Sequence, residues 1–481
     1  MKQYAEPREC PWSNGWNGVT EMQVIIGSEI RIKDAPKILQ NWCGENLVIP
    51  NPEYANRARR GLWTGNTPQH LWLYWVDGSD LVLPVGVGKE IRALLPAECE
   101  YITDLADNGE LQYAGNISLY DYQTPAVEAM WKASCGILQS PCGSGKTQMG
   151  IALAASLGRK TLWITHTQDL LKQSYDRAAQ YFLRETLGTI TAGKVSIGSH
   201  ITFATVQTLC KLDLAQYRYM WDVIIVDECH RLAGTPTQMT MFYKVMNSLA
   251  ARHKYGLSAT VHRSDGLIRS TFAVLGPVIY RVPDEAVADK TMQVRILKRD
   301  TDIVTARECL DTDGTLEYSR LMQYLTGKRD RSQLIVEDLV HNQKHYNLIL
   351  SDRLEHLRTL MQMLPEECRE TAVMIDGSMT SKKDRCARER AIEDMRSGKK
   401  HYLFASYSLA KEGLDIPRLD RLYMTTPKKD YAVVTQSVGR IARVADGKKD
   451  AVCYDYVDDI QFCENQWKRR RAHYRKAGCR L

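Results

Sequence analysis

Residues Ser140-Pro141-Cys142-Gly143-Ser144-Gly145-Lys146-Thr147 place two glycines and a serine directly before a lysine and a hydroxyl. That order suits a phosphate group. Gly143, Ser144 and Gly145 let the backbone curl until its N–H groups converge on an anion, and a helix opening at Lys146 adds the positive end of its dipole. Lys146 supplies a point charge for the β and γ oxygens of a nucleotide, and the Thr147 hydroxyl is placed to ligate Mg²⁺. Ser140 stands where the general phosphate-loop pattern prefers glycine.

A second cluster is Val223-Ile224-Ile225-Val226-Asp227-Glu228-Cys229-His230. Four apolar residues predict a buried strand that delivers two carboxylates at its C-terminal end, where open α/β sheets bind ligands. Asp227 is expected to hold Mg²⁺ directly or through water. Glu228 is expected to orient and deprotonate the attacking water for in-line displacement. Cys229 reads as a packed thiol, and His230 as a reporter of nucleotide state. Together the two clusters predict an ATPase.

The elements that must carry these groups are legible around them. From Ile117 onward short apolar runs alternate with amphipathic stretches: Gly136–Leu138, Thr161–Ile164, Ile201–Ala204 and Val223–Val226. A second series begins near Val294 and continues through Asn347–Leu350, Ala372–Ile375, Tyr402–Ala405 and Arg421–Met424. Such alternation predicts parallel sheets covered by helices on both faces. Before residue 115 the composition differs, with six of the ten tryptophans at Trp12, Trp16, Trp42, Trp63, Trp72 and Trp75. Residues 71–87 read as two strands joined by the turn Asp77-Gly78-Ser79-Asp80. This points to a small α+β module whose tryptophans form its core, with a base-stacking platform as the alternative. The expected division is 1–112, 113–285 and 286–481.

Composition narrows the class. The chain has 481 residues, 44% hydrophobic and 25% charged, which excludes a largely disordered or collagenous protein and calls for several domains. No apolar stretch is long enough for a membrane span, and the first residues lack the apolar region of a secretory signal, so no membrane partner is expected. Thirteen cysteines without a single CxxC pair give no zinc-site spacing and fit a reducing cytoplasm. A net charge of +7 permits a polyanionic partner without demanding one. The tail Trp467–Leu481 holds seven Lys/Arg and no acid, consistent equally with a solvated helix and with a duplex contact.

Taken as an ordered set over residues 117–460, these motifs resemble the superfamily 2 helicases of the DExH type. The resemblance implies two tandem RecA-like parallel-sheet lobes, with ATP and Mg²⁺ as ligands and nucleic acid as partner. It implies that Tyr122 and Gln123 read adenine, although Tyr120 stands where the family often has arginine. Thr165, His166, Thr205 and Gln207 fall where the family contacts the nucleic-acid backbone, and Ser258-Ala259-Thr260 matches the motif coupling hydrolysis to strand contact, with His230. In the second lobe, Leu348–Leu360 resembles the opening strand and helix. Ser406–Pro417 resembles the motif that touches strand and nucleotide, through Ser406, Glu412, Gly413 and Asp415. Gln436–Arg443 resembles the arginine-finger helix, with Gln436 near the nucleotide and Arg440 and Arg443 expected three apart on one helical face.

Within the superfamily, Gly256–Gly266 is similar to the extended motif of XPB-like and phage UvsW-like DNA helicases. Asn51-Pro52, Gly61-Leu62-Trp63 and Leu83–Gly88 resemble the small accessory domain of the UvsW type. That likeness implies work on branched, forked or duplex DNA. An RNA-directed ATPase of the same fold is the main rival. A nucleic-acid sensor switched by ATP without unwinding is another.

Overall fold

The computed structural model describes residues 22–96, 98–141, 143–231, 236–261, 266–305, 307–310, 314, 316–376, 382–411 and 414–481. The chain divides into two compact units, residues 1–140 with 145–282, and residues 141–144 with 283–481.

The first unit is built on an eight-stranded sheet. Its order is 194–196, 187–191, 201–205, 161–165, 223–227, 253–258, 135–139 and 278–281. Every neighbouring pair is parallel except the hairpin of 187–191 with 194–196. Strands 161–165, 201–205 and 223–227 are buried at all five positions, which is why they read as unbroken apolar runs rather than alternations. Helix Lys146–Leu157 packs so closely on this sheet that a Cβ on Gly150 would lie 2.6 Å from the Trp163 ring. The smallest residue there gives the largest one its place.

Ahead of this lobe, strands 75–77, 80–83, 30–32, 23–26 and 100–103 form a separate five-stranded sheet, in that order. The turn expected at residues 77–80 is present, closed by pairing of Asp77 with Asp80. The turn joins Trp75–Asp77 to Asp80–Leu83, and a third strand, His70–Trp72, lies ahead of this hairpin and pairs with Val48–Pro50. The tryptophan core is not what forms. Trp42, Trp72 and Trp75 are only half buried and Trp63 is exposed, while Trp12 and Trp16 lie outside the described residues. Aliphatic side chains such as Val24, Ile32, Leu39, Leu83 and Ile91 fill the interior instead. A sheet of three- and four-residue strands offers too little depth to enclose an indole completely.

Those aliphatics run into the core of the lobe as one hydrophobic cluster. Polar ties reinforce the junction. Lys254, 1% exposed, donates to the Ser28 carbonyl at 3.0 Å and the Met246 carbonyl at 2.8 Å. Arg218 donates to Asp104 at 2.7 Å and to the Ser28 hydroxyl at 2.9 Å. Burial lowers the Lys254 pKa to about 7. Because the unfolded lysine stays protonated to about 10.4, the unfolded state binds more protons between those values. Stability is therefore expected to rise with pH from about 7 to 10, by an amount on the order of a few kcal/mol. Lys254→Met should flatten that slope in urea titrations at pH 7.5 and 9.5; an unchanged slope would mean the ammonium is solvated.

The second unit carries a six-stranded, wholly parallel sheet in the order 294–304, 451–459, 421–424, 347–351, 402–406 and 372–375. Its last helix, Gln461–Lys476, contains most of the basic tail and is not a solvated rod. Cys463, Gln466, Trp467, Arg470 and Tyr474 form a buried stripe at helical spacing. Arg470 pairs bidentately with Asp455 at 2.7 and 2.8 Å, while Lys468, Arg469, Arg471, Arg475 and Lys476 remain exposed.

Candidate active site and nucleic-acid interface

The phosphate loop leaves strand Cys135–Gln139 and enters helix Lys146–Leu157. Gly143 and Gly145 adopt φ of 83° and 78°, left-handed values that a side chain would strain. Ser144 is buried, and its hydroxyl donates to the Pro141 carbonyl at 2.7 Å, fixing the turn. Lys146 Nζ lies 3.4 Å from the Ser140 carbonyl and 3.9 Å from Glu228 Oε1. Thr147 follows in the first helical turn. Gln123 is buried against this loop: a Cβ on Gly145 would meet its Nε2 at 2.5 Å, and its Oε1 accepts from the Tyr120 amide at 3.0 Å. Tyr122 stacks on Tyr120, with centroids 5.8 Å apart. Cys142 lies outside the described residues.

Strand Val223–Asp227 presents its two carboxylates beside the loop lysine. Asp227 is 4% exposed and accepts from the Glu228 amide at 2.9 Å and the Ser174 hydroxyl at 3.5 Å. Burial, then the neighbouring Glu228 charge, pushes its pKa up to about 7, and Lys146 opposes that rise. Glu228 itself sits at φ 48°, one of a few non-glycine residues with positive φ among those described. Glu228 Oε2 lies 3.4 Å from His230 Nδ1, which is 2.8 Å from the Ser258 hydroxyl. That hydroxyl accepts from the Thr260 amide at 3.1 Å. Ser258 also ties back to the loop, its carbonyl accepting from the Ser140 amide at 2.9 Å. The three residues expected to couple the site, His230, Ser258 and Thr260, therefore form one hydrogen-bonded run, and Glu228 approaches its His230 end at 3.4 Å. Residues 262–265 of the extended motif lie outside the described residues.

Thr165 and Thr205 are register partners at the ends of adjacent parallel strands. Both are buried, with hydroxyls spent internally on the Thr167 carbonyl at 3.0 Å and on Thr208 at 2.9 Å. Gln207 donates to the His166 carbonyl at 2.9 Å, so all four residues expected at the strand are clustered. Arg231 Nη1 lies 3.3 Å from His166 Nε2. Burial, then the Arg231 charge, lowers the His166 pKa to about 3, so its ring is neutral at working pH.

In the second unit, Ser406 ends strand Tyr402–Ser406 and its hydroxyl pairs with Ser408 at 2.8 Å. Glu412 and Gly413 lie outside the described residues. Gln436 is buried within helix Tyr431–Ile441. Arg440 donates to the Leu414 carbonyl at 3.2 Å. Arg443 does not share that helical face. The helix ends at Ile441 and is capped by Ala442, and Arg443 enters an isolated bridge with Thr291. The bridge turns the chain out of helical geometry before a third residue can be added. Arg443 is nonetheless ion-paired with Asp415, which Arg396 also approaches at 3.8 Å.

Lys448 was not apparent from sequence. Its ammonium donates to the carbonyls of Ile441 at 2.6 Å, Arg443 at 2.7 Å and Leu419 at 2.6 Å, tying the arginine segment to the loop after Asp415. The run Asp446-Gly447-Lys448-Lys449 looks like an ordinary polar turn, and carries no signal of that role.

Two family models match separate stretches of the chain. Residues 116–263 match the family described as type III restriction enzyme, res subunit, and residues 330–445 match the helicase conserved C-terminal domain. A DNA 3'-5' translocase XPB2 of Sulfurisphaera tokodaii is 25% identical over 71% of this chain and 82% of its own length. A putative ATP-dependent RNA helicase, L396, of Acanthamoeba polyphaga mimivirus is 25% identical over 73% of this chain, which spans just under two thirds (65%) of that relative. The structure of S. cerevisiae Dbp5 bound to RNA and ADP BeF3 superposes with a TM-score of 0.55 at 16% identity, covering 74% of this chain and 88% of that one, a likeness of fold.

Proposed function

Because the chain belongs to the superfamily 2 helicases, ATP-dependent enzymes with XPB-like relatives, we propose that it hydrolyses Mg²⁺-ATP to move on and remodel branched, forked or duplex DNA. The observation that carries this reading is the run of contacts from Lys146 through Glu228 and His230 to Ser258. It links a phosphate loop to Ser258, the first residue of the Ser258-Ala259-Thr260 motif that the resemblance assigns to strand coupling. Asp227 and Thr147 fit a hard divalent cation. They offer only oxygen donors, and the Asp227 carboxyl is raised toward 7 by burial and then by the Glu228 charge, which a bound cation would offset. The ion's contribution when bound is to offset charge on the phosphate oxygens. In this reading Glu228 takes the proton of the attacking water, Lys146 neutralises the transferring phosphate, and Arg440 and Arg443 add charge to it.

The N-terminal residues 1–112 are assigned the choice of substrate, since the hydrolytic groups all follow Leu119. Excision is a poor test, because it would uncover the shared core and strip Lys254 of the Ser28 carbonyl. No helix among the described residues is long and apolar enough to cross a membrane. The XPB2 relative, a DNA translocase by name, supports DNA. The mimivirus relative and the RNA-bound Dbp5 fold support an RNA-directed motor as the second reading. ATPase rates with single-stranded DNA, duplex, forked DNA and RNA, measured side by side at one salt concentration, decide between them. Strongest stimulation by forked DNA supports the first reading, and stimulation by RNA alone supports the second.

A further inference from the structure

Helix Pro52–Arg59 of the N-terminal module has no buried residue. Hydrophobic packing does not hold it. Local bonds do: Asn51 caps its start by accepting from the Glu53 amide at 3.0 Å, and Arg57 pairs with Glu53 at 3.0 Å. Arg57 also reaches 3.4 Å to the Trp63 carbonyl, anchoring the turn that follows. On that turn Trp63 is 82% exposed. Its ring is nevertheless placed, because it lies across Gly65, where a Cβ would meet it at 2.6 Å and where φ is 49°. An indole kept in water on a built turn is costly by ordinary burial rules. Two exposed arginines, Arg59 and Arg60, precede it in the chain by four and three residues, and the one carboxylate between residues 51 and 70 is the Glu53 already paired with Arg57.

We propose that Trp63, with Arg59 and Arg60, is a stacking platform for an unpaired base of single-stranded nucleic acid, the single-stranded arm of a fork being its natural source. The ring offers a π-face that accepts any base, and the guanidiniums take the adjoining phosphates. An exposed aromatic on a segment whose unpaired charge is positive is complementary to a polyanion carrying flat apolar rings, and is not complementary to a neutral apolar protein groove. This deepens the nucleic-acid reading above and rests on it.

The test is anisotropy of a dye-labelled forked oligonucleotide with the full chain at fixed salt. Trp63→Ala should weaken binding about 5- to 100-fold, the range for losing one stacked base. Trp63→Phe should stay within about threefold, since a phenyl ring still stacks. The deficit of Trp63→Ala should vanish on a fork whose single-stranded arm is abasic, because no base remains to stack. Arg59→Ala/Arg60→Ala should lower the slope of log affinity against log salt by roughly one to two, a change Trp63→Ala should not produce. ATPase without nucleic acid should be unchanged in each variant. Equal affinity of Trp63→Ala and wild type would overturn the platform, as would Trp63→Leu binding as well as Trp63→Phe, which marks a merely apolar contact. A wild-type chain that bound neither DNA nor RNA would overturn the platform and the motor reading together. Binding lost only in Trp63→Ala leaves the motor reading standing.

Discussion

Lys146→Ala is expected to reduce ATP hydrolysis by at least about 10³-fold, to background. Two losses combine in that variant. The transferring phosphate loses its side-chain cation, and the buried carboxylate pair loses the charge 3.9 Å away that restrains proton uptake by Asp227. With Lys146 gone the Asp227 pKa should climb further above 7, so the group expected to hold the cation is increasingly protonated at neutral pH. Glu228→Gln separates the steps. The loop and Asp227 stay in place, so a fluorescent ATP analogue should still bind, while turnover falls about 10²- to 10⁴-fold for want of a general base. Phosphate release near the wild-type rate in either variant would remove the catalytic assignment.

Arg440→Ala and Arg443→Ala are expected to lower kcat by about 10²- to 10³-fold while changing DNA affinity less than tenfold, because arginine fingers act on charge at the transferring phosphate. Replacement by lysine should not restore the rate, since a single ammonium lacks the bidentate fork. The two positions differ in one respect. Arg440 is held by a carbonyl and Arg443 by a carboxylate, so Arg443→Ala alone leaves Asp415 to Arg396. Lost DNA binding with normal turnover would make either arginine a strand contact instead.

The parallel-sheet strands were largely legible because central ones such as 161–165, 201–205, 223–227 and 347–351 are buried at every position and so appear as apolar runs; their order in the sheets was not. The loop and its acidic pair were legible for a related reason: their chemistry needs particular residue types at fixed spacing. What escaped notice depends on geometry that sequence does not spell out. Trp63 has the composition of a core residue and the environment of a surface one, a difference set by how shallow its module is. Arg443 fits a helical spacing, but one bridge to Thr291 ends the helix two residues early. Lys448 shows nothing until the carbonyls of Leu419, Ile441 and Arg443 are found around it.

Position 228 sets folding and chemistry against each other. A backbone at φ 48° suits glycine, and holding glutamate there stores strain on the order of 1 kcal/mol. A glycine at that site would relax the turn after the strand and remove the proton acceptor. Selection for thermal resistance alone would thus drift toward a sturdier and inert protein at this residue, and only selection for turnover would hold the carboxylate in place.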